Sequence, residues 1–144
     1  MTKENNIILA DGCFDPFHEG HIQYLRASKE LGSKLIVNMA TDREIWIKRP
    51  SIGPLLKEYA RKQLLESLEF VDSVLVIDTL DALKTINPNI YAKGLDWKGK
   101  LPNEELETCS VLGIDIIFLD TVTNSSSSIL KDFINRIKSS ELSN

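Results

Sequence analysis

The chain has 144 residues, 42% hydrophobic and 26% charged, the size and balance of one globular domain that buries a core without metal or disulfide staples. Its 21 acidic residues outnumber 17 basic ones, for a formal charge of −4; this argues against a nucleic-acid or acidic-membrane binder, which carries a basic face, but leaves room for a small anionic substrate where positive groups gather locally. The two cysteines, Cys13 and Cys109, lack metal-ligand spacing and read as reduced thiols. No stretch approaches the ~18 apolar residues of a membrane span, and the polar Met1 to Asn6 lacks the apolar run of a signal peptide, so a cytoplasmic location is expected.

In chain order, Asn6 to Ala10 is predicted as a buried strand and His21 to Leu31 as a helix with Ile22 and Leu25 on one face. Leu35 to Ala40 is a second strand, and Lys48 to Pro54 a polar segment. Glu58 to Leu68 is a helix with Leu64, Leu65 and Leu68 pointing inward, and Val74 to Ile77 a third strand. The short helix Leu80 to Ile86 is stopped by Asn87-Pro88, because the residue before proline avoids the helical region. Ile90 to Ala92 is a fourth strand, Glu104 to Leu112 a helix ended by Gly113, and Ile114 to Leu119 a fifth strand. Ser126 to Ile137 is the last helix, and Ser139 to Asn144 is expected to fray. Continuous rather than alternating apolar strands, separated by helices, predict an α/β fold: one domain over 1–144 with a five-stranded parallel sheet and helices on both faces. Ligands of such sheets sit beyond the carboxyl ends of the strands where strand order reverses, so the segments after strands one, two, four and five are expected to converge.

The first of these, Asp11 to His21, contains both histidines of the chain, His18 and His21, on either side of Gly20. A helix beginning near Gly20 places both imidazoles at its positive end, where free N–H groups favour phosphate. After the fourth strand comes Lys93-Gly94-Leu95-Asp96-Trp97. Gly94 permits a close approach of ligand to backbone. Asp96 is placed to accept hydrogen bonds from a base or ribose or to help position a metal, and Trp97 either stacks on a ligand or caps the core. Before the last helix, Thr123 and Asn124 lead into four consecutive serines that include Ser126, Ser127 and Ser128. Their hydroxyls and backbone N–H groups form a candidate second anion site beyond what capping needs.

Gly12-Cys13-Phe14-Asp15 followed by His18-Glu19-Gly20-His21 resembles the signature of the HxGH cytidylyltransferase-like nucleotidyltransferases. The likeness continues through Arg61 to Asp72 and through Lys93 to Trp97, nearly the whole chain. It points in particular to the adenylyltransferase domain of bifunctional heptose-phosphate enzymes and next to glycerol-3-phosphate cytidylyltransferases, which share the Asp96-Trp97 pair and a following Gly99-Lys100. Two departures stand out: the family's Gly-x-Ser-Thr-Thr reads Asn124 to Ser128 here, and Thr121 replaces an arginine of the glycerol-phosphate enzymes. The serine run is also similar to archaeal-type FAD synthetases, which transfer AMP to FMN.

The resemblance implies a Rossmann-like domain, commonly dimeric, that moves a nucleoside monophosphate from an NTP to a phosphorylated small molecule. ATP is favoured as donor and a sugar phosphate such as heptose 1-phosphate as acceptor; CTP with glycerol 3-phosphate is the first alternative, and adenylyl transfer to FMN or a catalytically silent nucleotide-binding module on the same fold are the further ones. It implies phosphate contacts from Lys48 or Arg49, from Arg61 and from both histidines. It also implies nucleotide contacts from Gly12, Cys13, Phe14, Asp15, Gly20, Lys93, Gly94, Asp96 and the serines, and substrate contacts from Asp42 and Trp97. Mg²⁺ is the implied cofactor, bridging triphosphate oxygens with few protein ligands. An acceptor phosphate is largely dianionic near neutrality, its second pKa being ~6. It therefore needs no general base, and the histidines are expected to act as donors to the reacting phosphates.

Overall fold

In the computed structural model, which describes residues 5–121 and 125–143, five parallel strands form one sheet. Strands β1 (Ile7–Gly12), β2 (Lys34–Met39), β3 (Ser73–Leu75), β4 (Ile90–Gly94) and β5 (Asp115–Leu119) take the order β3-β2-β1-β4-β5. The helices are α1 (Glu19–Glu30), α2 (Asp42–Lys48), α3 (Glu58–Glu66), α4 (Thr79–Ile86), α5 (Asn103–Leu112) and α6 (Ser126–Ser143), with a 3₁₀ turn at Leu95–Trp97.

Strand residues alternate between two apolar layers, as a two-residue repeat requires. Ile8 and Ala10 of β1 pack with Leu35, Val37 and Met39 of β2 against Tyr24 and Leu25 of α1 and Leu65 of α3. Leu9, Ile36 and Tyr91 face the other way, onto Ala82 and Leu83 of α4 and Cys109 of α5. The sheet is thus covered on both sides, which explains its near-continuous apolar strands. The chain lays down β1, β2 and β3 in one direction, then crosses to β4 and β5. The carboxyl ends of β1 and β4 therefore border the crevice at which strand order reverses.

Four local expectations are corrected. The first helix starts at Glu19 rather than His21, because His18 serves as its cap. Asp42–Lys48, unassigned from sequence, is a helix; it is short for a periodicity signal but carries a Thr41/Glu44 capping box in which Glu44 N–H donates to Thr41 Oγ1 at 3.0 Å. Leu64 is exposed, and Leu65 alone of that pair is buried. The last helix continues to Ser143, through most of the segment expected to fray, while Asn144 lies outside the described residues.

The α1–β2 connection passes tightly over the start of β1. A Cβ built on Gly32 would lie 2.5 Å from the Asn6 carbonyl oxygen, and that oxygen already accepts hydrogen bonds from the N–H groups of Ser33 and Lys34. The Gly32→Ala variant is expected to lose about 1–3 kcal/mol of unfolding free energy, read by urea denaturation.

Candidate active site

A cavity of about 520 Å³ opens at the carboxyl ends of β1 and β4. Its walls come from Gly12, Cys13, Phe14, His18 and His21 after β1, and from Lys48 on α2. Lys93, Gly94, Asp96 and Trp97 close it from β4 and the turn that follows, and Ser125 and Ser126 from the head of α6. The segments expected to converge do so, joined by one that sequence reading left out: Asp78, Thr79 and Leu80 after β3.

The two imidazoles are fixed by reciprocal hydrogen bonds to the backbone. His18, in extended conformation at the cap of α1, accepts the Gly20 N–H at Nδ1 (3.0 Å), and His21 Nδ1 accepts the His18 N–H (3.2 Å). A ring nitrogen that accepts carries no proton, so each neutral ring carries its hydrogen on Nε2. The rings lie 3.9 Å apart between centroids. His21 also stacks on Phe17 at 5.6 Å and meets Phe14 edge-on at 5.0 Å. Burial in this aromatic nest, reinforced by His18, lowers the His21 pKa to about 3. Burial lowers that of His18 too, with Glu19 pulling the other way. Near pH ~7 both are uncharged donors. His18 Nε2 is buried without a partner among the described residues. The helix N–H groups expected to face an anion are partly engaged: Gly20, itself buried, gives its N–H to His18 Nδ1.

The basic residues divide into one that faces the cavity and two that brace its rim. Lys48 lines the cavity, with Nζ 3.4 Å from Cys13 Sγ. Arg49 turns away to pair with the carboxylate of Asp15. Asp15, expected at the nucleotide, is buried beneath the 50–56 loop, where it also accepts the N–H groups of Leu55 (2.8 Å) and Leu56 (2.6 Å). Arg61, expected at phosphate, is fully buried. It donates to the carbonyls of Leu56 (2.8 Å), Cys13 (3.0 Å) and Ala40 (2.6 Å) and to Asp42 Oδ1 (2.7 Å). Asp42, expected at the substrate, exchanges hydrogen bonds with Glu58 across the start of α3. These four residues hold the loops that carry the cavity-lining groups and do not line it themselves.

The serine run is likewise divided. Ser125 Oγ accepts the Ser128 N–H at 3.1 Å, an ordinary cap. Ser126 lines the cavity and donates to the Pro16 carbonyl at 2.9 Å. Ser127 and Ser128 are exposed and outside the lining, while Thr123 and Asn124 lie outside the described residues. Trp97 is 38% exposed and lines the cavity, with Lys93 Nζ 4.5 Å from its ring centroid. It neither caps the core nor stands free.

Sequence reading missed a polar group on the α4–α5 side of the cavity. Asp11, nearly buried, pairs with Lys93 Nζ at 2.7 Å and accepts the Thr79 hydroxyl at 2.7 Å. Tyr91 Oη lies 3.1 Å from Asp11 and 2.8 Å from Glu105. Asp11 shares the sheet face of Leu9, and Tyr91 and Lys93 lie two residues apart in β4; a polar residue ending a buried strand was the available signal.

An all-parallel sheet with paired imidazoles at the head of its first helix, over a cavity at the switch point, defines a Rossmann-like nucleotidyltransferase domain. The chain belongs to the cytidylyltransferase-like family, whose model matches residues 9–140. It is 35% identical to the bifunctional protein HldE of Campylobacter jejuni over 122 residues, covering 81% of this chain and 24% of that protein. The same-named protein of a Nitratiruptor species is 38% identical over 101 residues, 68% of this chain and 22% of the relative. The chain therefore spans about a quarter of the length of these curated relatives. Among solved structures it resembles the lipopolysaccharide core biosynthesis protein of Thermoplasma volcanium, with TM-score 0.68 and 30% identity over 81% of this chain and 97% of the other.

The histidine geometry has a pH consequence. The folded His21 pKa, about 3, lies below its ordinary 6.5, so between these values the unfolded chain binds more protons and stability falls as pH drops. Urea unfolding from about pH 8 to 4 is expected to show a plateau above about 6.5 and a decline below it that is shallower in His21→Asn. Ring-nitrogen NMR near pH ~7 is expected to show both histidines neutral with the proton on Nε2; an imidazolium at either position would refute the assignment.

Proposed function

We propose that the domain transfers a nucleoside monophosphate from an NTP, ATP being favoured, to a sugar phosphate such as heptose 1-phosphate, releasing pyrophosphate. The observation that carries this reading is the pair of uncharged imidazoles whose Nδ1 atoms are held by the backbone and which both line the cavity. The relatives named HldE and the lipopolysaccharide core biosynthesis neighbour support the sugar-phosphate acceptor.

In this reading an oxygen of the acceptor's phosphate attacks the α-phosphorus of the NTP. The new P–O bond forms as the bond from the α-phosphorus to the α–β bridging oxygen breaks, and pyrophosphate leaves with that electron pair. The dianionic nucleophile has no proton to give up, so neutral rings serve as hydrogen-bond donors to charge developing on the phosphoryl and leaving oxygens. Lys48 supplies the cation that faces the cavity beside Cys13, and Ser126 a hydroxyl at the head of α6. Asp15, Arg49, Asp42 and Arg61 hold these groups in register from behind. Mg²⁺ belongs to the reading as a neutraliser of triphosphate charge. Among the described residues no group of three or more His, Cys, Asp or Glu side chains is arranged to hold a metal ion.

The reaction draws on a cytoplasmic NTP pool, and no described helix is long and apolar enough to cross a membrane. The reading includes a homodimer, supported by the exposed apolar stripe of Ile129, Phe133, Ile134 and Ile137 on α6; light scattering at twice the chain mass is the expected result.

Pyrophosphate release is the direct test, with ATP and CTP each offered against heptose 1-phosphate, glycerol 3-phosphate and FMN. The expected result is turnover with ATP and the sugar phosphate. His21→Ala is expected to lose roughly 10²–10³ in rate, and near-normal turnover would overturn the mechanism. Lys48→Ala is expected to raise KM for the NTP, whereas Arg49→Ala, which strips a buried carboxylate of its partner, is expected to lower unfolding stability by about 1–3 kcal/mol.

A further inference from the structure

The transferase reading uses the cavity side of α2 and leaves its outer side without a task. On this helix Glu44 and Lys48 line the cavity and Ile45 is buried. Arg43, Trp46 and Ile47, spaced i, i+3 and i+4, share the remaining side, and Trp46 and Ile47 are 50% and 71% exposed. The loop that follows extends this surface. A Cβ built on Gly53 would lie 2.4 Å from the Trp46 ring, so the indole rests on the loop next in chain to Ile52. Asp42 and Glu58 exchange hydrogen bonds of 2.6 and 2.9 Å, which hold the start of α3 against the start of α2. There Tyr59 is 79% exposed, and Ile52 and Leu55 are exposed as well. Single exposed apolar side chains are ordinary. Five large ones between residues 46 and 59, an indole and a phenol among them, make a patch of the kind that marks a contact site.

The charges around the patch say what it contacts. Residues 42–62 hold six basic and three acidic side chains in a chain of formal charge −4. The three carboxylates are partly buried and engaged: Asp42 and Glu58 accept each other's N–H groups, and Glu44 accepts the Thr41 N–H and hydroxyl, both at 3.1 Å. Arg43, Lys57 and Lys62 are exposed and, unlike Arg49 and Arg61, pair with no carboxylate among the described residues. No exposed carboxylate stands between Leu31 and Leu65. The basic face that the net charge made unexpected is thus assembled by folding. A second copy seated here about a twofold axis would set these cations against their own kind. The stripe on α6, which mixes Lys131 and Lys138 with Asp132 and Glu141, suits such a contact better. An anionic lipid surface meets both features of the patch. Its phosphates lie at the level of the Arg and Lys heads, its hydrocarbon takes Ile47, Ile52 and Leu55, and its boundary favours Trp and Tyr.

We propose that this patch seats the domain on an anionic bilayer, lying on the lipid surface and leaving the cavity side of α2 uncovered. No described helix is long and apolar enough to cross the bilayer, and none is needed for this mode of attachment. The inference stands apart from the transferase reading, because it uses none of the groups assigned to the reaction.

The full chain is sedimented with vesicles of two parts phosphatidylcholine to one part phosphatidylglycerol, and with vesicles of phosphatidylcholine alone. The wild-type protein is expected to pellet with the mixed vesicles, to bind the neutral ones roughly tenfold more weakly, and to be released by salt. Changing Arg43, Lys57 and Lys62 together to Gln is expected to weaken binding to the mixed vesicles by roughly a hundredfold. Ile47→Ser combined with Tyr59→Ser is expected to abolish binding to both compositions, and Phe133→Ser on α6 to leave it unchanged. Tryptophan emission is expected to shift to the blue on the mixed vesicles, and Trp46→Phe, which leaves Trp97 as the remaining indole, to remove the shift. Circular dichroism melting checks that each variant is folded, and the charge and apolar variants report separately should one of them fail to fold. Absence of pelleting with the mixed vesicles, or unchanged binding by the charge and apolar variants, overturns the proposal. A blue shift that survives in Trp46→Phe, or loss of binding in Phe133→Ser, overturns it by placing the contact elsewhere. Displacement of the vesicles by soluble polyglutamate, with no blue shift, overturns the bilayer in favour of an acidic protein partner. Vesicle binding is read without substrates, so it holds or fails independently of pyrophosphate release.

Discussion

The mutual capping of two imidazoles at the head of α1 is the constraint on which the site depends. Each Nδ1 accepts a backbone N–H, so ring orientation, tautomer and the start of the helix are set by the same two hydrogen bonds. A histidine that ends a helix usually has freedom to turn toward solvent. Here Phe14 and Phe17 flank the His21 ring, and that packing removes the freedom and suppresses the charge together. Local chain geometry is thereby converted into donor chemistry.

Around this pair the charges are distributed by task. Lys48 is left facing the cavity, while Arg49 and Arg61 are turned to carboxylates and carbonyls behind it. Buried guanidinium groups suit bracing because five donors in a rigid plane can meet several acceptors at once. On the opposite wall Lys93 gives one N–H to Asp11 and keeps two for the cavity. A formal charge of −4 coexists with phosphate chemistry because the sign of the whole chain says little about the sign of a few ångströms within it.

Much of the architecture was legible in the order of apolar runs and breakers: Asn87-Pro88 and Gly113 end helices where expected, and five apolar segments became five parallel strands. The His18/His21 spacing located the head of the first helix because the i, i+3 interval and the glycine between have few other uses. Side-chain direction was not legible. Lys48 and Arg49 are adjacent and chemically alike, yet α2 ends between them and sends them different ways. Arg61, Asp42 and Asp15 look like surface or ligand-binding charges in one dimension, and only tertiary pairing shows them to be enclosed. Asp11, Tyr91 and Glu105 are separated by 80 and 14 residues, so no local pattern could join them.

The partners of Arg61 carry a further consequence. Three of its four hydrogen bonds run to main-chain carbonyls, at Cys13, Ala40 and Leu56. A carbonyl is supplied by every residue type, so the clamp places no demand on which side chain stands at those positions. Loops that must keep a fixed backbone path can thus explore new sequence freely at their surfaces. In this way a shared scaffold can diversify the molecules it recognises while the geometry beneath stays unchanged.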